Sequence, residues 1–350
     1  MDRLSTLPYT VRACTGADYP AILRLLKITV GETESSLKTE RFWRWKHVQN
    51  PFGESYSVCA ETEGDTGSEL AGLRTLMWWE LRTPDGELIR AVRPVDTATH
   101  PDHQRKGIFS ALTRFSLEDQ RGKGIALVFN TPNSNSLPGY LKMGWRVVER
   151  WALYARPSRP LLAPWEFARS KILGTDGARP ELPSWPDFVD RNRMRVETIV
   201  GIHERDRHST GLRTPRDLTY LDWRYGGHPD LTYRVASSMS GGQLQGFIVG
   251  RRGRSPKGID SFVITEIFAA DPSQRGIRNV LHAALPTIPE LYAVCHSSSG
   301  SNELRALRRS GFIRLARRGY TFTVLPIEPL SLDPTAAGSW DLTLGELEIF

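Results

Sequence analysis

Apolar and polar positions alternate along "YTVRAC" (9–14), which predicts a strand. The period then lengthens. Ile22, Leu25 and Leu26 fall on one face of a helix capped by Asp18, with Pro20 in its first turn. A second helix is predicted over "SLKTERFWRWKHV" (36–48), stopped by Asn50-Pro51, because a residue before proline disfavours helical backbone. Trp43 and Trp45 are two apart in it and cannot share a face, so at least one is expected in the core. Strands follow at "SYSVCAE", "LAGLRTLMWWEL" and "ELIRAVRPVDTAT", separated by the turn-rich "TEGDTGSE" and "RTPDGE". Beyond a basic loop come a helix "FSALTRFSLEDQ", a strand "IALVFN", a short helix "SLPGYLKMG" and a strand "WRVVERWALYA". The predicted order is β-α-α-β-β-β-α-β-α-β.

Residues 157–192 are rich in proline and polar residues and read as a connector with one short helix. After them the first plan returns in pieces. Trp45 to Pro51 and Trp223 to Pro229 are both six residues, and a Tyr-x-Val follows each. "HPDHQRKGI" (100–108) is echoed by "ADPSQRGI" (270–277), and "GWRVV" (144–148) by "GFIRL" (311–315). Such a long period means an internal duplication, not a solenoid.

The length of 350 residues suits two domains, and 39% hydrophobic with 24% charged residues is a globular composition. No apolar run approaches the roughly 18 residues of a membrane span, and "MDRLSTLPYT" lacks the apolar stretch of a secretion signal. The three cysteines, Cys14, Cys59 and Cys295, are too dispersed for a disulfide framework or a CxxC metal site. A cytoplasmic protein without a metal is expected. A net charge of +7 favours a polyanionic partner, nucleic acid or a phosphorylated cofactor, but the basic residues are scattered.

One segment narrows the choice. "HPDHQRKGIFSAL" (100–112) carries a strand into a basic, glycine-containing loop that turns at once into a helix. The first N–H groups of a helix lack intrahelical partners, and its dipole adds positive charge there. A phosphate or pyrophosphate fits that end, and Gly107 lets it approach the backbone.

Gln104-Arg105-Lys106-Gly107-Ile108-Phe109 resembles the Gln/Arg-x-x-Gly-x-Gly/Ala signature of the GNAT superfamily of acyl-CoA-dependent N-acetyltransferases, with Phe109 departing from the small final residue. "NSNSLPGYLKMGW" resembles the same family's Asn-x(6)-Tyr-x-Lys-x-Gly-Phe, with Asn133, Tyr140, Lys142, Gly144 and Trp145 in place. The resemblance covers residues 8–156, and a weaker copy spans about 195–325. It implies a tandem α/β GNAT fold, each copy a mixed, mostly antiparallel sheet flanked by helices. The expected divisions are 1–156 as the acetyltransferase domain, 157–194 as connector, 195–325 as a degenerate copy and 326–350 as a tail.

The resemblance further implies acetyl-CoA as co-substrate, its pyrophosphate held by the backbone of Gln104 to Phe109. The oxyanion donor would be a backbone N–H within Thr97–Thr99. Pro94 cannot donate to a sheet ladder, so this strand is expected to bulge or splay and admit the pantetheine arm beside "IALVFN". Asn133 stands where it would touch the cofactor or cap its own loop. Tyr140 would protonate the departing thiolate, since a phenol can donate as charge develops on sulfur. An attacking amine must first lose a proton, and Asp96, then His100, then Glu80 are the candidate bases. In the second copy Leu307 stands at the tyrosine position, so that half is expected to scaffold the acceptor cleft. Phe52 and Glu54 would border it.

The function these readings favour is transfer of an acetyl group from acetyl-CoA to a primary amine of a small molecule, an amino sugar being the acceptor suggested by analogy. A peptidoglycan-bridge type aminoacyl transferase, a mycothiol-synthase-like enzyme and a non-catalytic acyl-CoA-binding module are the alternatives. The partners expected are acetyl-CoA and a small amine, with no membrane and no nucleic acid; the oligomeric state is not legible.

Overall fold

In the computed structural model, residues 9–33, 36–64, 67–160, 181–207, 209–254, 260–298 and 301–346 are described. The first half runs β1 (Thr10–Ala13), α1 (Tyr19–Thr29), α2 (Glu40–Trp43) prolonged by a π-turn (Arg44–Val48), β2 (Tyr56–Gly64), β3 (Gly67–Arg82), β4 (Leu88–Thr99), α3 (Ile108–Asp119), β5 (Ile125–Asn130), α4 (Leu137–Lys142) and β6 (Arg146–Pro157). The second runs α5 (Trp185–Asp206), α6 (Leu218–Leu221) with its own π-turn (Asp222–Gly226), β7 (Tyr233–Ser240), β8 (Gln243–Arg254), β9 (Asp260–Ala269), α7 (Gln274–Ala284), β10 (Tyr292–His296), α8 (Asn302–Arg309) and β11 (Ile313–Pro326). This is a mixed α/β fold whose sheet is mostly antiparallel and flanked by helices.

The two halves share one sheet, ordered β1-β2-β3-β4-β5-β11-β6-β10-β9-β8-β7. Among the described strands, only β4–β5 and β9–β10 pair in parallel. The last strand of each half lies against the other half, β11 beside β5 and β6 beside β10. The mixed, mostly antiparallel sheet expected in each copy is present, and this exchange joins the two into one.

The expected boundaries shift accordingly. Ser184 caps α5, which begins inside the expected connector, and Pro186 fits its first turn. Most of the connector, 161–180, lies outside the described residues, as do the N-terminal 1–8 and the last four residues. The segment expected as a tail is core: Trp340, Leu342 and Leu344 are buried in the cluster that also holds Trp79 and Phe129. The second helix begins only at Glu40, because Thr39 caps it by accepting from the Phe42 N–H. Asp18 precedes α1, but its carboxylate accepts from the Thr15 N–H and pairs with Arg12 instead of capping that helix.

Both tryptophans of the second helix are buried. Trp43 packs against α1 with Ile22, Leu25 and Leu26. Trp45 stacks on Trp223, ring centroids 5.3 Å apart, and each indole N–H donates to the other's carbonyl at 2.8 Å. The echoed tryptophans of the two halves therefore meet each other, in matching π-turns, by a reciprocal contact of the kind a two-fold interface makes.

Candidate active site

β4 and β5 pair only as far as Val92↔Val128 and then part. Pro94 lies just past that point, still opposite Leu76 of β3 but with no N–H to offer β5. Beyond it Leu73 faces Ala98 and Thr75 faces Val95, so Asp96 and Thr97 together oppose Arg74 alone. This bulge bends the strand, and Asp96 takes the left-handed backbone it needs, φ 42°. The expected splay and bulge are both present.

The loop after β4 delivers the helix end. His100 opens a short 3₁₀ turn over Pro101–His103, then Arg105 and Gly107 both adopt left-handed φ, 62° and 79°. Gly107 caps α3, and no atom lies within 4 Å of the place its Cβ would occupy. Gln104, Arg105, Lys106 and Gly107 are exposed, whereas Ile108 turns into the core. The result is an open, basic helix terminus that an anion fits. A groove of about 1160 Å³ runs from Lys106 and Gly107 past Arg114 to Arg121, flanked by Ile327 and Glu328. Phe109 does not obstruct the loop. Its ring turns inward, edge-on to Tyr140 at 5.2 Å and 4.7 Å from the Arg74 guanidinium. Gly139 makes room for it, since a Cβ there would lie 2.8 Å from the ring.

Tyr140 is buried beneath the splayed strands, against Trp145, Leu76 and Val128. Its hydroxyl accepts from Arg74 Nη1 at 2.6 Å. The same guanidinium donates to Thr97 Oγ1 at 3.0 Å and Thr113 Oγ1 at 2.5 Å. A phenol that accepts from a cation keeps its own proton to donate, and the guanidinium favours negative charge developing nearby. Arg74 was not singled out by sequence. Its signal was one arginine inside the otherwise apolar "LAGLRTLMWW".

Asp96 does not stand free to act as a base. Its carboxylate is buried, 2.5 Å from Lys46 Nζ and 2.9 Å from His47 Nε2. Burial opposes the charge, yet Lys46 and the His47 hydrogen bond hold the group well below the usual carboxylate range. A carboxylate held well below its usual range, with one oxygen already engaged by both Lys46 and His47, is a weak acceptor for a further proton. Lys46 is pushed down to about 8 by burial against the pull of Asp96. Asp96 instead ties α2 to the bulge.

The other candidates have local roles. Asn133 Oδ1 accepts from the N–H groups of Asn135 and Ser136, so it caps the turn into α4. His100 Nδ1 accepts from the Asp102 N–H, and Glu80 pairs across the sheet with Arg90 in register. Thr99 faces Gly72 across β3 and β4, where the missing Cβ lets Ile108 close in. Phe52 packs on Trp79 and Tyr220, and Glu54 is exposed. Among the described residues no three His, Cys, Asp or Glu side chains are grouped to hold a metal ion, and no helix is long and apolar enough to cross a membrane.

Among its described residues the second half has no such opening at the corresponding loop. Gln274-Arg275-Gly276 lies inside α7, and a Cβ on Gly276 would sit 2.0 Å from the Asp271 carbonyl oxygen. Leu307 is buried in the core of that half. At the centre of the molecule the chain's own 340–346 segment is held in place. Glu346 pairs with Arg216 at 2.5 Å, Arg224 Nε donates to the Gly345 carbonyl at 3.0 Å, and Arg93 donates to the Glu346 carbonyl.

Residues 10–148 match the family described as acetyltransferase (GNAT) domain. No curated protein matches the chain by sequence. Among solved structures, a probable N-acyltransferase of unknown function from Enterococcus faecalis is 13% identical, with 91% of this chain and 72% of that one covered and a TM-score of 0.60. A GCN5-related N-acetyltransferase from Anabaena variabilis is 12% identical, with 90% and 72% covered and a TM-score of 0.61. Another from Kribbella flavida is 13% identical, with 91% and 71% covered and a TM-score of 0.56. At these identities the likeness is one of fold, and it extends over both halves.

Proposed function

We propose, from the match of residues 10–148 to the GNAT acetyltransferase domain family, that the protein transfers an acetyl group from acetyl-CoA to a primary amine of a small molecule such as an amino sugar. The observation that carries this is Tyr140, with Arg74 donating to its hydroxyl, beneath the gap between β4 and β5. The open terminus at Gly107 would hold the pyrophosphate, and the groove past Arg114 would take the rest of the nucleotide. The bulge at Asp96 and Thr97 turns backbone out of the ladder where an oxyanion donor is needed. Tyr140 then gives its proton to the departing thiolate while Arg74 steadies the charge. The second half, with Leu307 and a filled Gly276 loop, shapes the acceptor side and completes the sheet. The same reading places the protein in the cytoplasm, where acetyl-CoA is made.

Acetyl-CoA turnover against a panel of amines tests the reaction. Tyr140→Phe should lower kcat by about 10²–10⁴, the usual worth of general acid catalysis, and leave the acetyl-CoA dissociation constant near wild type. The hydroxyl would act on charge that exists only as the bond breaks. Wild-type single-turnover rates in the mutant would remove Tyr140 from the mechanism.

A further inference from the structure

His47 has no part in that reaction, yet it stands between a carboxylate and a hydroxyl. Its Nε2 lies 2.9 Å from Asp96 Oδ2 and its Nδ1 lies 2.9 Å from Ser55 Oγ. Asp96 is ionised and can only accept, so the ring proton belongs on Nε2. Nδ1 is then a bare acceptor, and the Ser55 hydroxyl must be the donor. Both partners are clamped. The ring packs on Trp43 with centroids 4.1 Å apart, and the Ser55 N–H donates to the His47 carbonyl at 2.8 Å.

The second half shows what mere anchoring requires. At the position echoing His47 it has Tyr225, whose hydroxyl lies 3.0 Å from Glu266 of β9. The helix-to-strand tie is kept there without an imidazole. In the first half the tie carries a base, and the free side of that base meets a serine. Ser55 is half-buried and opens on a cavity of about 80 Å³ lined with His47 by Cys14, Thr15, Tyr19 and Glu54. That is room for a few waters at about 30 Å³ each, or for one short acyl group.

We propose that Ser55 is a nucleophile, activated by His47 and positioned through Asp96, that takes a short acyl group from an activated ester and releases it to water. Ser55 Oγ bonds to the acyl carbon and its proton passes to His47 Nδ1. The bond to the leaving alcohol breaks, and the alcohol departs with that proton. Water then adds to the acyl-serine, giving a proton to Nδ1, and the carboxylic acid leaves as Ser55 Oγ takes that proton back. No other reactant is needed.

The test uses the full chain with p-nitrophenyl acetate, read by p-nitrophenolate release and by peptide mapping of the acetylated protein. A burst with one acetyl group on the peptide containing Ser55 is expected, and Ser55→Ala should lower the burst rate at least about a hundredfold. His47→Gln should do the same while Ser55 remains. The charged groups acting on His47 are Asp96, Lys46 and Lys38, and burial sets its pKa below the ordinary value. The acylation rate should therefore reach its plateau at a lower pH than an ordinary imidazole would set, and fall in more acid solution. Absence of acetyl on Ser55, or a burst that survives both substitutions in proteins with wild-type melting, would overturn the proposal.

Discussion

A guanidinium taken out of water costs several kcal/mol unless its donors are met. Arg74 offsets most of that cost through its two terminal nitrogens, which donate to the hydroxyls of Thr97, Thr113 and Tyr140, and through the faces of Phe109 and Tyr140. This explains the bulky residue at the end of the loop signature. Phe109 roofs the cation from inside the helix terminus, and Gly139 is the space it needs. The two positions should therefore depend on each other. Gly139→Ala should destabilise the protein by about 1–3 kcal/mol, as overpacking does, because its Cβ meets the Phe109 ring at 2.8 Å. Adding Phe109→Leu should recover part of that loss. Urea melts of the two single variants and the double variant check it, and strict additivity would show that the pair is not coupled.

At the scale of elements, α1, the strands of the first half and the loop into α3 were legible because periodicity, turn residues and Gly107 state them locally. Asp96 was misread for a physical reason. A carboxylate beside the reaction centre looks the same in sequence whether it faces substrate or a buried lysine, and Lys46 is fifty residues away. The tie it makes to α2 gives a stability prediction. Asp96→Asn leaves Lys46 buried without its counter-charge, which should cost about 3–5 kcal/mol at pH 7. The folded carboxyl titrates below its unfolded value of about 3.9. Its contribution is thus complete above that value and is lost as the pH falls towards the folded one. The gap between wild type and Asp96→Asn in urea melts should stay constant between about pH 5 and pH 7 and narrow as the pH falls from about 4 towards 3. A gap that widened in acid would reverse the assignment.

For the molecule as a whole, the repeat of Trp45 and Trp223 was visible in sequence, but the exchange of final strands was not. Both β6 and β11 read as the last strand of their own half, and nothing local says which edge each will join. The choice lies in long-range pairing. β11 aligns Thr323 with Asn130 of β5 while β6 aligns Cys295 of β10 with Tyr154. The Thr323 hydroxyl bonds the Asn130 side chain at 2.5 Å. The buried cluster around Trp79 and Phe129 likewise draws Phe322, Trp340 and Leu342 from the far end of the chain. A fragment of residues 1–156 would leave β5 without β11, β6 without either neighbour, and Trp79 without its cover. We expect such a fragment to show no cooperative melt and no stabilisation by acetyl-CoA, whereas co-expression with 157–350 restores both. The intact chain should unfold in a single transition by calorimetry and by tryptophan fluorescence alike, because neither half has a complete sheet of its own. A fragment 1–156 that melted cooperatively as a monomer and gained stability with acetyl-CoA would show that the exchanged strand is dispensable.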